Sequence, residues 1–329
     1  MMMRYDITSL SNFVLVDMEI KIGAFNIFEN RKLMTMAYNF GRWVRMIFPF
    51  FLLFLLSGEE SLLGEEHSTT PVLTRINVAH RGASFLAPEN TLMAYRIAIS
   101  AGADGAECDV YRSSDGIIFL SHDQTAKRTL GGSDQDLTQI TYAQIQKLDA
   151  GQWKGKQFQG EKVPTLDGYL ELLKDTKCYP VIEIKMEEIE QPVLESIRKH
   201  DLLEVTTIIA FSEKIVKKIR QLETDICVAW LYSENLKDKG TAEENAERLT
   251  EFFISKCKEL DTTILDVNHG LLSADLVKNL QNAGIHVWCW TVNDINRMNT
   301  LLDWGVESIT TDRPELLNEI LKTRKATKK

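Results

Sequence analysis

The sequence predicts an α/β fold, a (β/α)8 barrel that carries a small inserted subdomain after its second strand. Short apolar runs that end in polar residues recur eight times between positions 76 and 311. Each of these eight strand-like runs leads to a stretch whose apolar residues have helical spacing. The chain has 329 residues, of which 44% are hydrophobic and 26% charged, and this suits a single domain of barrel size.

The strands and helices follow from the apolar periodicity. The predicted strands are 76–80, 106–110, 179–185, 207–212, 226–232, 263–268, 286–292 and 306–311. The predicted helices are 88–101, 165–174, 188–199, 213–222, 242–258, 274–283, 295–303 and 314–323. Proline is favoured in the first turn of a helix and glycine just after the last turn. Residues of these types stand at the expected places: Pro88, Pro192 and Pro314 at helix starts, and Gly102, Gly284 and Gly305 after helix ends.

The second strand departs from this alternation. Residues 113–116 separate it from another apolar run at 117–121, and so short a turn cannot hold a crossover helix. We therefore predict a hairpin at the barrel mouth, followed by a long excursion with one helical piece at 142–148. These segments form an insertion over about 113–163. We expect it to lie over the carboxyl end of the barrel, where active sites of this fold are found.

The beginning of the chain has a different character. Segment 46–58 is uncharged and almost wholly apolar, and Arg42 and Arg45 precede it. A basic flank before a short apolar core is typical of a secretory signal peptide, and a membrane span needs roughly 20 residues. We predict an N-terminal extension with a signal peptide over 1–58, followed by a linker over 59–75. An uncleaved signal anchor is the alternative.

This segment bears on location and on the chain start. It predicts a secreted, periplasmic or extracytoplasmic protein, or one anchored to a membrane through residues 46–58. Met34 or Met36 would give a more typical signal peptide than the first residue does. At the other end, residues 322–329 are expected to be disordered, with 324–329 as the basic tail. The oligomeric state does not follow from the sequence.

Composition excludes several classes of function. The chain has 47 acidic and 38 basic side chains, a net charge of −9, which argues against a nucleic-acid partner. Its five cysteines lack C-x-x-C spacing, which argues against both a disulfide scaffold and a structural zinc module. The cysteines are Cys108, Cys178, Cys227, Cys257 and Cys289. An enzyme or binding domain with a full hydrophobic core remains.

Charged residues near the ends of successive strands suggest a site. They are His80 and Arg81, Glu107 and Asp109, His122, and Glu183 and Lys185. Residues two apart on a strand point to one face, and carboxylates inside a barrel are costly unless they are paired or bind a cation. Three carboxylates and two histidines at one rim predict a divalent metal with oxygen ligands, Mg²⁺ or Ca²⁺, and acid–base imidazoles. Arg81 and Lys185 would attract an anion such as phosphate.

Each of these features alone has a commoner structural explanation. A histidine after a strand is usually structural, a Glu-x-Asp pair is usually solvated, and a Glu-x-Lys pair is usually a surface ion pair of little energetic value. Their occurrence together, at the ends of successive strands, favours a functional site.

The spaced motifs resemble those of the glycerophosphodiester phosphodiesterase family, whose fold is a PI-PLC-like TIM barrel. The first four are His80-Arg81-Gly82, Pro88-Glu89-Asn90-Thr91, Glu107-Cys108-Asp109-Val110 and His122-Asp123. The later ones are Val163-Pro164-Thr165-Leu166, Glu183-Ile184-Lys185, Trp290-Thr291-Val292-Asn293 and Thr311-Asp312-Arg313-Pro314. The first four in this order are highly specific, and the resemblance covers about residues 76–322, essentially the whole predicted barrel domain of 76–323.

The resemblance implies a metal-dependent enzyme of glycerophospholipid and glycerol metabolism. Such an enzyme hydrolyses glycerophosphodiesters, for example glycerophosphocholine or glycerophosphoethanolamine, to sn-glycerol 3-phosphate and an alcohol. It implies that Glu107, Asp109 and Glu183 bind one divalent cation, Mg²⁺ or Ca²⁺. His80 and His122 match the acid–base pair, in roles that the spacing does not assign. The implied nucleophile is the glycerol 2-hydroxyl, which forms a cyclic phosphate that water then opens.

The resemblance also implies the substrate-binding residues. Arg81 and Lys185 match phosphate contacts, and Glu89 lies in the motif that completes the charged cluster. Trp290 matches an aromatic of the substrate pocket, with a barrel-core aromatic as the alternative. Cys108 alternates away from its neighbours and is expected to be a buried thiol.

Two other functions stay open. A lysophospholipase D-like or sphingomyelinase D-like enzyme of the same fold would use the same residues with a more apolar entrance. A non-catalytic phosphate-binding surface protein would require the loss of a histidine or a metal carboxylate, and none of these residues is missing from the sequence.

Overall fold

The computed structural model describes residues 76–233 and 242–327. Within these ranges, eight parallel strands close into a barrel, because the first strand pairs with both the second and the last. The barrel strands are β1 (Asn77–Ala79), β2 (Gly105–Arg112), β4 (Tyr179–Ile184), β5 (Thr207–Ala210), β6 (Cys227–Tyr232), β7 (Ile264–Asn268), β8 (His286–Trp290) and β9 (Ser308–Thr311). The predicted (β/α)8 TIM barrel is confirmed. The predicted signal peptide and linker lie outside the described residues.

Helices surround the barrel and alternate with its strands. They are α1 (Leu92–Ser100), α3 (Leu166–Leu173), α4 (Glu190–Lys199), α5 (Glu213–Leu222), α6 (Ala242–Glu259), α7 (Ala274–Asn282), α8 (Ile295–Asp303) and α9 (Pro314–Thr327). Short 3-10 turns at Leu203–Val205 and His269–Leu271 complete two of the connections. In the described part of the chain, no helix is both long and apolar enough to cross a membrane.

The strand residues divide into an inner and an outer set. Val78, Ile209, Leu231 and Trp288 pack together inside the barrel. Residues of the opposite alternation pack against the helices, and Cys108 belongs to this outer core, fully buried and free as expected. This apolar layer fills the lower barrel, and the charged residues predicted for the site lie above it, toward the carboxyl end.

The insertion begins with the predicted hairpin. Strand β3 (Ile118–Leu120) pairs antiparallel with the end of β2, beyond the point where β1 stops. The rest contains the short helix α2 (Tyr142–Ile145) and two 3-10 turns at Leu137–Gln139 and Lys156–Phe158. Its own apolar cluster includes Tyr111, Phe119, Leu137 and Ile145. The insertion therefore has a small core separate from that of the barrel.

Some predicted boundaries are wrong. The first helix begins at Leu92 rather than at Pro88, because the Thr91 hydroxyl accepts the Ala94 amide and caps the helix there. The helical piece of the insertion ends at Ile145 rather than at residue 148. The basic residues from 324 were expected to be a disordered tail, but α9 continues to Thr327.

Candidate active site

A cavity of about 170 Å³ opens at the carboxyl end of the barrel. Six of the nine predicted site residues line it: His80, Arg81, Glu107, His122, Glu183 and Trp290. The other three contact this wall from behind or beside it: Asp109, Lys185 and Glu89. The fold thus brings all nine into one connected cluster.

Three buried carboxylates form the centre of this cluster. Glu107 and Asp109 are alternate residues of β2, and Asp109 lies opposite Glu183 of β4 in the parallel register. One oxygen from each of the three lies within 4.8 Å of the others. Asp109 Oδ1 is buried and has no hydrogen-bond partner among the described residues. A set of hard oxygen donors at this spacing fits a divalent cation such as Mg²⁺ or Ca²⁺.

The carboxylates differ in how readily they ionise. Burial, together with repulsion from Asp109 and Glu183, raises the pKa of Glu107 well above its ordinary value. Burial and repulsion from Asp109 raise the pKa of Glu183 to about 7. Burial would raise the pKa of Asp109 too, but Lys185, Arg81 and His122 outweigh it and lower that pKa. Ionising all three carboxylates together is therefore unfavourable without a further positive charge nearby, and a bound cation would supply that charge.

Two cations flank the carboxylates. Lys185 Nζ lies 2.7 Å from Glu183 Oε1 and 3.4 Å from Asp109 Oδ1. Arg81 Nε lies 3.4 Å from Asp109 Oδ2, and its backbone amide donates to Glu107 Oε2 at 2.7 Å. Although burial opposes it, the neighbouring carboxylates raise the pKa of both side chains. Both therefore carry a positive charge at the edge of the cavity.

The turn after β1 directs the Arg81 amide at Glu107. Arg81 has φ of 55° and Gly82 has φ of 81°, both in the left-handed region. A Cβ on Gly82 would lie 2.7 Å from the carbonyl carbon of Ala94, so only glycine fits there. The His80-Arg81-Gly82 motif is therefore a structural requirement as well as a chemical one.

His80 is held by a carboxylate from the far end of the chain. Its Nδ1 lies 2.6 Å from Asp312 Oδ1, just beyond β9. Burial alone would raise the pKa of Asp312, but hydrogen bonds from His80, Asn293 and Ser84 lower it to about 2. Because Asp312 is ionised and can only accept, His80 donates from Nδ1 and keeps Nε2 for exchanging a proton.

His122 has the same kind of support. Its Nδ1 lies 2.7 Å from Asp123 Oδ1, and Arg128 Nε donates to Asp123 Oδ2 at 2.6 Å. Arg128 also makes a two-bond contact with Glu89, each bond 2.7 Å long, and Glu89 accepts from Arg81 at 2.9 Å. Burial is the main cause that lowers the pKa of His122, so its imidazole is neutral at neutral pH.

Glu89 acts through arginines rather than through the cavity. Its carboxylate is occupied by Arg81 and Arg128, and their attraction lowers its pKa despite burial. The resemblance implies a substrate-binding role for Glu89, which stays a prediction; in this structure its carboxylate contacts Arg81 and Arg128. Arg128 bonds both to Glu89 and to Asp123, the residue that supports His122, and so links the insertion to the barrel.

An amide side chain orients the buried Asp109. Asn90 Nδ2 donates to Asp109 Oδ2 at 2.8 Å, and Asn90 Oδ1 accepts from the Asp109 amide and from the Tyr95 hydroxyl. This fixes which oxygen of Asp109 stays free.

The opposite wall of the cavity is largely apolar. Trp290 is half-buried and meets Phe211 edge to face, with ring centroids 5.5 Å apart. Ile209 and Leu231 complete this wall, and Asp266 is the one acidic residue in it among the described lining residues. Trp290 therefore lies both in the pocket and on the edge of the barrel core.

Three residues of this site were not predicted from the sequence. Asp312 and Arg128 were assigned no role, and Asp266 was taken as part of an ordinary strand. Asp312 stands in a quoted motif at the end of a strand, which is a signal of the same kind as that of His80. Asp266 was detectable as a charge at an inward position of an apolar run. Arg128 lies in an aperiodic loop and gave no signal.

The glycerophosphoryl diester phosphodiesterase family model matches residues 80–316. A glycerophosphodiester phosphodiesterase of Caldanaerobacter subterraneus subsp. tengcongensis is 29% identical over 252 residues, covering 74% of this chain and 97% of the relative. A glycerophosphodiester phosphodiesterase of Bacillus subtilis is 30% identical over 267 residues, covering 75% of this chain and 86% of the relative.

Solved structures agree with these matches. The crystal structure of a glycerophosphodiester phosphodiesterase from Agrobacterium tumefaciens superposes with a TM-score of 0.62 at 26% identity, covering 75% of this chain and all of that one (100%). The structure of an Oleispira antarctica phosphodiesterase in complex with the product sn-glycerol-3-phosphate has a TM-score of 0.64 at 27% identity, covering 74% of this chain and 96% of that one. Motifs, barrel and matches lead to one conclusion: this chain belongs to the glycerophosphoryl diester phosphodiesterase family.

Proposed function

We propose that this phosphoric diester hydrolase cleaves glycerophosphodiesters to sn-glycerol 3-phosphate and an alcohol. The observation that carries the proposal is the single cavity lined by two carboxylate-supported histidines and by two members of the acidic triad. The product bound to the Oleispira relative is the one that this reaction would release.

The acidic triad is the proposed metal site. Glu107, Asp109 and Glu183 offer closely spaced oxygens, and in the part of the chain that the structure describes nothing forms a hydrogen bond with the buried Asp109 Oδ1. A divalent cation, Mg²⁺ or Ca²⁺, would supply Lewis acidity toward a phosphate oxygen when bound there. Lys185 donates a hydrogen bond to Glu183 Oε1, and Asn90 donates one to Asp109 Oδ2. These two bonds hold the carboxylates in place.

The two histidines supply the proton transfers. Each imidazole presents Nδ1 to a carboxylate, so Nε2 is the nitrogen that would exchange protons with the substrate. One of them takes a proton from the attacking hydroxyl, which we propose to be the glycerol 2-hydroxyl. The other gives a proton to the departing alcohol. This step leaves a cyclic phosphate, which water then opens to sn-glycerol 3-phosphate. Arg81 contributes positive charge to the phosphate from the same rim.

The amino-terminal segment supports a second proposal, about location. We propose that residues 1–58 direct the chain out of the cytoplasm, with 46–58 as the apolar core of the signal or anchor. Headgroup diesters released from membrane lipids outside the cytoplasm would then be its substrates. Fractionation of cells that express the full chain tests this, and a wholly cytoplasmic protein of full length would contradict it.

A substrate panel tests the proposed reaction. The full chain is incubated with glycerophosphocholine, glycerophosphoethanolamine, lysophosphatidylcholine and sphingomyelin, and the products are identified by mass spectrometry. We expect sn-glycerol 3-phosphate from the first two. We expect His80→Ala and His122→Ala to lose turnover. His286→Ala is the matched control, because His286 also pairs with a carboxylate, Glu307, but at the amino end of β8.

Two results would contradict the proposal. Faster cleavage of lysophosphatidylcholine or sphingomyelin than of glycerophosphocholine would favour the phospholipase D-like alternative. Binding without turnover of any phosphodiester would favour the non-catalytic alternative.

A further inference from the structure

One acidic side chain of the cavity has no place in the proposed reaction. Asp266 of β7 is 1% exposed, lines the cavity, and its Oδ1 has no hydrogen-bond partner among the described residues. A buried polar oxygen without a partner is energetically unfavourable, so such groups usually bind a ligand or water. The apolar residues beside it, Ile209 and Leu231, offer no donor from their side chains.

Asp266 lies at the deep end of the cavity. The strand register places it beside Trp288, which packs inside the barrel, while Trp290 is one pleat nearer the rim. Trp290 Nε1 lies 3.3 Å from the Asp266 carbonyl oxygen, so the indole extends back along the wall toward β7. At the other end Phe211 is 41% exposed and marks the mouth.

The depth decides which arm of the substrate can reach this residue. A glycerophosphodiester has a glycerol arm and a head-group arm, and a phosphate beside the histidines and the triad leaves room for one arm at the deep end. The glycerol arm is small and the same in every substrate, whereas head groups vary in size and fit the open mouth near Phe211. A hydroxyl can donate to a carboxylate or accept from a carboxylic acid, so it suits Asp266 in either protonation state.

We propose that Asp266 binds the terminal hydroxyl of the substrate glycerol and thereby restricts the enzyme to deacylated glycerophosphodiesters. This inference rests on the proposed function and names the structural basis of its substrate class. An acyl ester at that oxygen has no hydrogen to donate and adds a long chain where the cavity ends. A site built to bond a hydroxyl also rejects an analogue that lacks it, because its buried polar group is then left unpaired.

The test compares three substrates: glycerophosphocholine, its propane-1,2-diol analogue without the terminal hydroxyl, and lysophosphatidylcholine. The analogue keeps the 2-hydroxyl, so the proposed nucleophile is unchanged. We expect the wild type to prefer glycerophosphocholine over the analogue by about 10- to 100-fold in kcat/KM, and to leave lysophosphatidylcholine uncleaved. Asp266→Ala should cleave the first two at nearly equal rates, and Asp266→Asn should keep most of the preference.

Ser308→Ala is the matched control. Ser308 is a buried barrel residue on β9, two strands from β7, whose hydroxyl also lacks a partner among the described residues, but it does not line the cavity. This variant should keep the wild-type preference. If it loses the preference as Asp266→Ala does, the effect comes from barrel stability and the inference is wrong.

Other results also overturn the inference. A wild type that treats glycerophosphocholine and the analogue alike, or that cleaves lysophosphatidylcholine equally well, contradicts it directly. If Asp266→Ala changes the choice between choline and ethanolamine head groups but keeps the glycerol preference, Asp266 contacts the other arm. A wild type that releases no sn-glycerol 3-phosphate from glycerophosphocholine contradicts the proposed function instead.

Discussion

Replacing Asp312 by asparagine should lower both stability and activity. The pKa of Asp312 falls from an ordinary 3.8 to about 2, because hydrogen bonds, first of all from His80, outweigh the effect of burial. One pKa unit corresponds to about 1.4 kcal/mol, so the ionised carboxylate stabilises the fold by about 2 kcal/mol. Since about a third of the side chain is exposed, screening reduces this to about 1–2 kcal/mol.

The direction of the pH dependence follows from the lowered pKa. The stabilisation is complete above the unfolded-state pKa near 3.8 and is lost as pH falls through about 2. Urea unfolding of the wild type and of Asp312→Asn should therefore give a difference in unfolding free energy of about 1–2 kcal/mol at pH 7 that disappears near pH 2. The variant should also lose roughly 10²–10⁴-fold in kcat, because His80 loses the group that fixes its tautomer.

The matched control for this prediction is Asp134→Asn. Asp134 pairs with Lys127, and both side chains are largely exposed, so the change should have little effect on unfolding or on turnover. Two results would contradict this prediction. The wild type and Asp312→Asn could have equal unfolding free energies at pH 7, or their difference could persist unchanged to pH 2.

Three further variants test other contacts of the site. Arg128→Ala should lower kcat by roughly 10-fold, because His122 loses the support that reaches it through Asp123. Lys127→Ala, on the same loop, should leave kcat unchanged. Equal kcat values for the two variants would contradict this prediction. Asn90→Ala should lower the free energy of unfolding in urea by about 2–3 kcal/mol, because the buried Asp109 carboxylate loses a hydrogen-bond donor. Tyr95→Phe should lower it by only about 1 kcal/mol. A larger loss in Tyr95→Phe than in Asn90→Ala would contradict this prediction. Gly82→Ala should destabilise by about 1–3 kcal/mol more than Gly116→Ala, because both have positive φ but only Gly82 has backbone 2.7 Å from the added Cβ.

Much of the barrel could be predicted because its signals are local. Apolar runs and their proline and glycine boundaries placed β7 within one residue and matched both ends of α5 and α8. The first helix was placed too early because Pro88 was taken as its start, while the cap that decides the boundary is the Thr91 hydroxyl. The last helix was ended too early because basic composition was taken as disorder, although Lys and Arg are favoured near the C-terminus of a helix.

The site could be predicted only as far as strand ends reveal it. Parallel strands bring their carboxyl ends to one rim, so Glu107, Asp109 and Glu183 could be grouped from the sequence. The support of His80 by Asp312 joins residues 232 positions apart, and no periodicity relates them. Arg128 belongs to the insertion, whose loops follow no repeating pattern, so its contact with Glu89 needed the fold.

The central claim is that a cation on the acidic triad is required for cleavage of glycerophosphodiesters in this cavity. The most direct measurement is release of sn-glycerol 3-phosphate from glycerophosphocholine by chelator-treated full chain as Mg²⁺ or Ca²⁺ is added back, for the wild type and for Glu183→Gln. The variant keeps the size of Glu183 and removes its charge. We expect no product before addition, recovery in the wild type, and little recovery in the variant at the same cation concentration. Full activity after chelation, or equal recovery in both proteins, would contradict it.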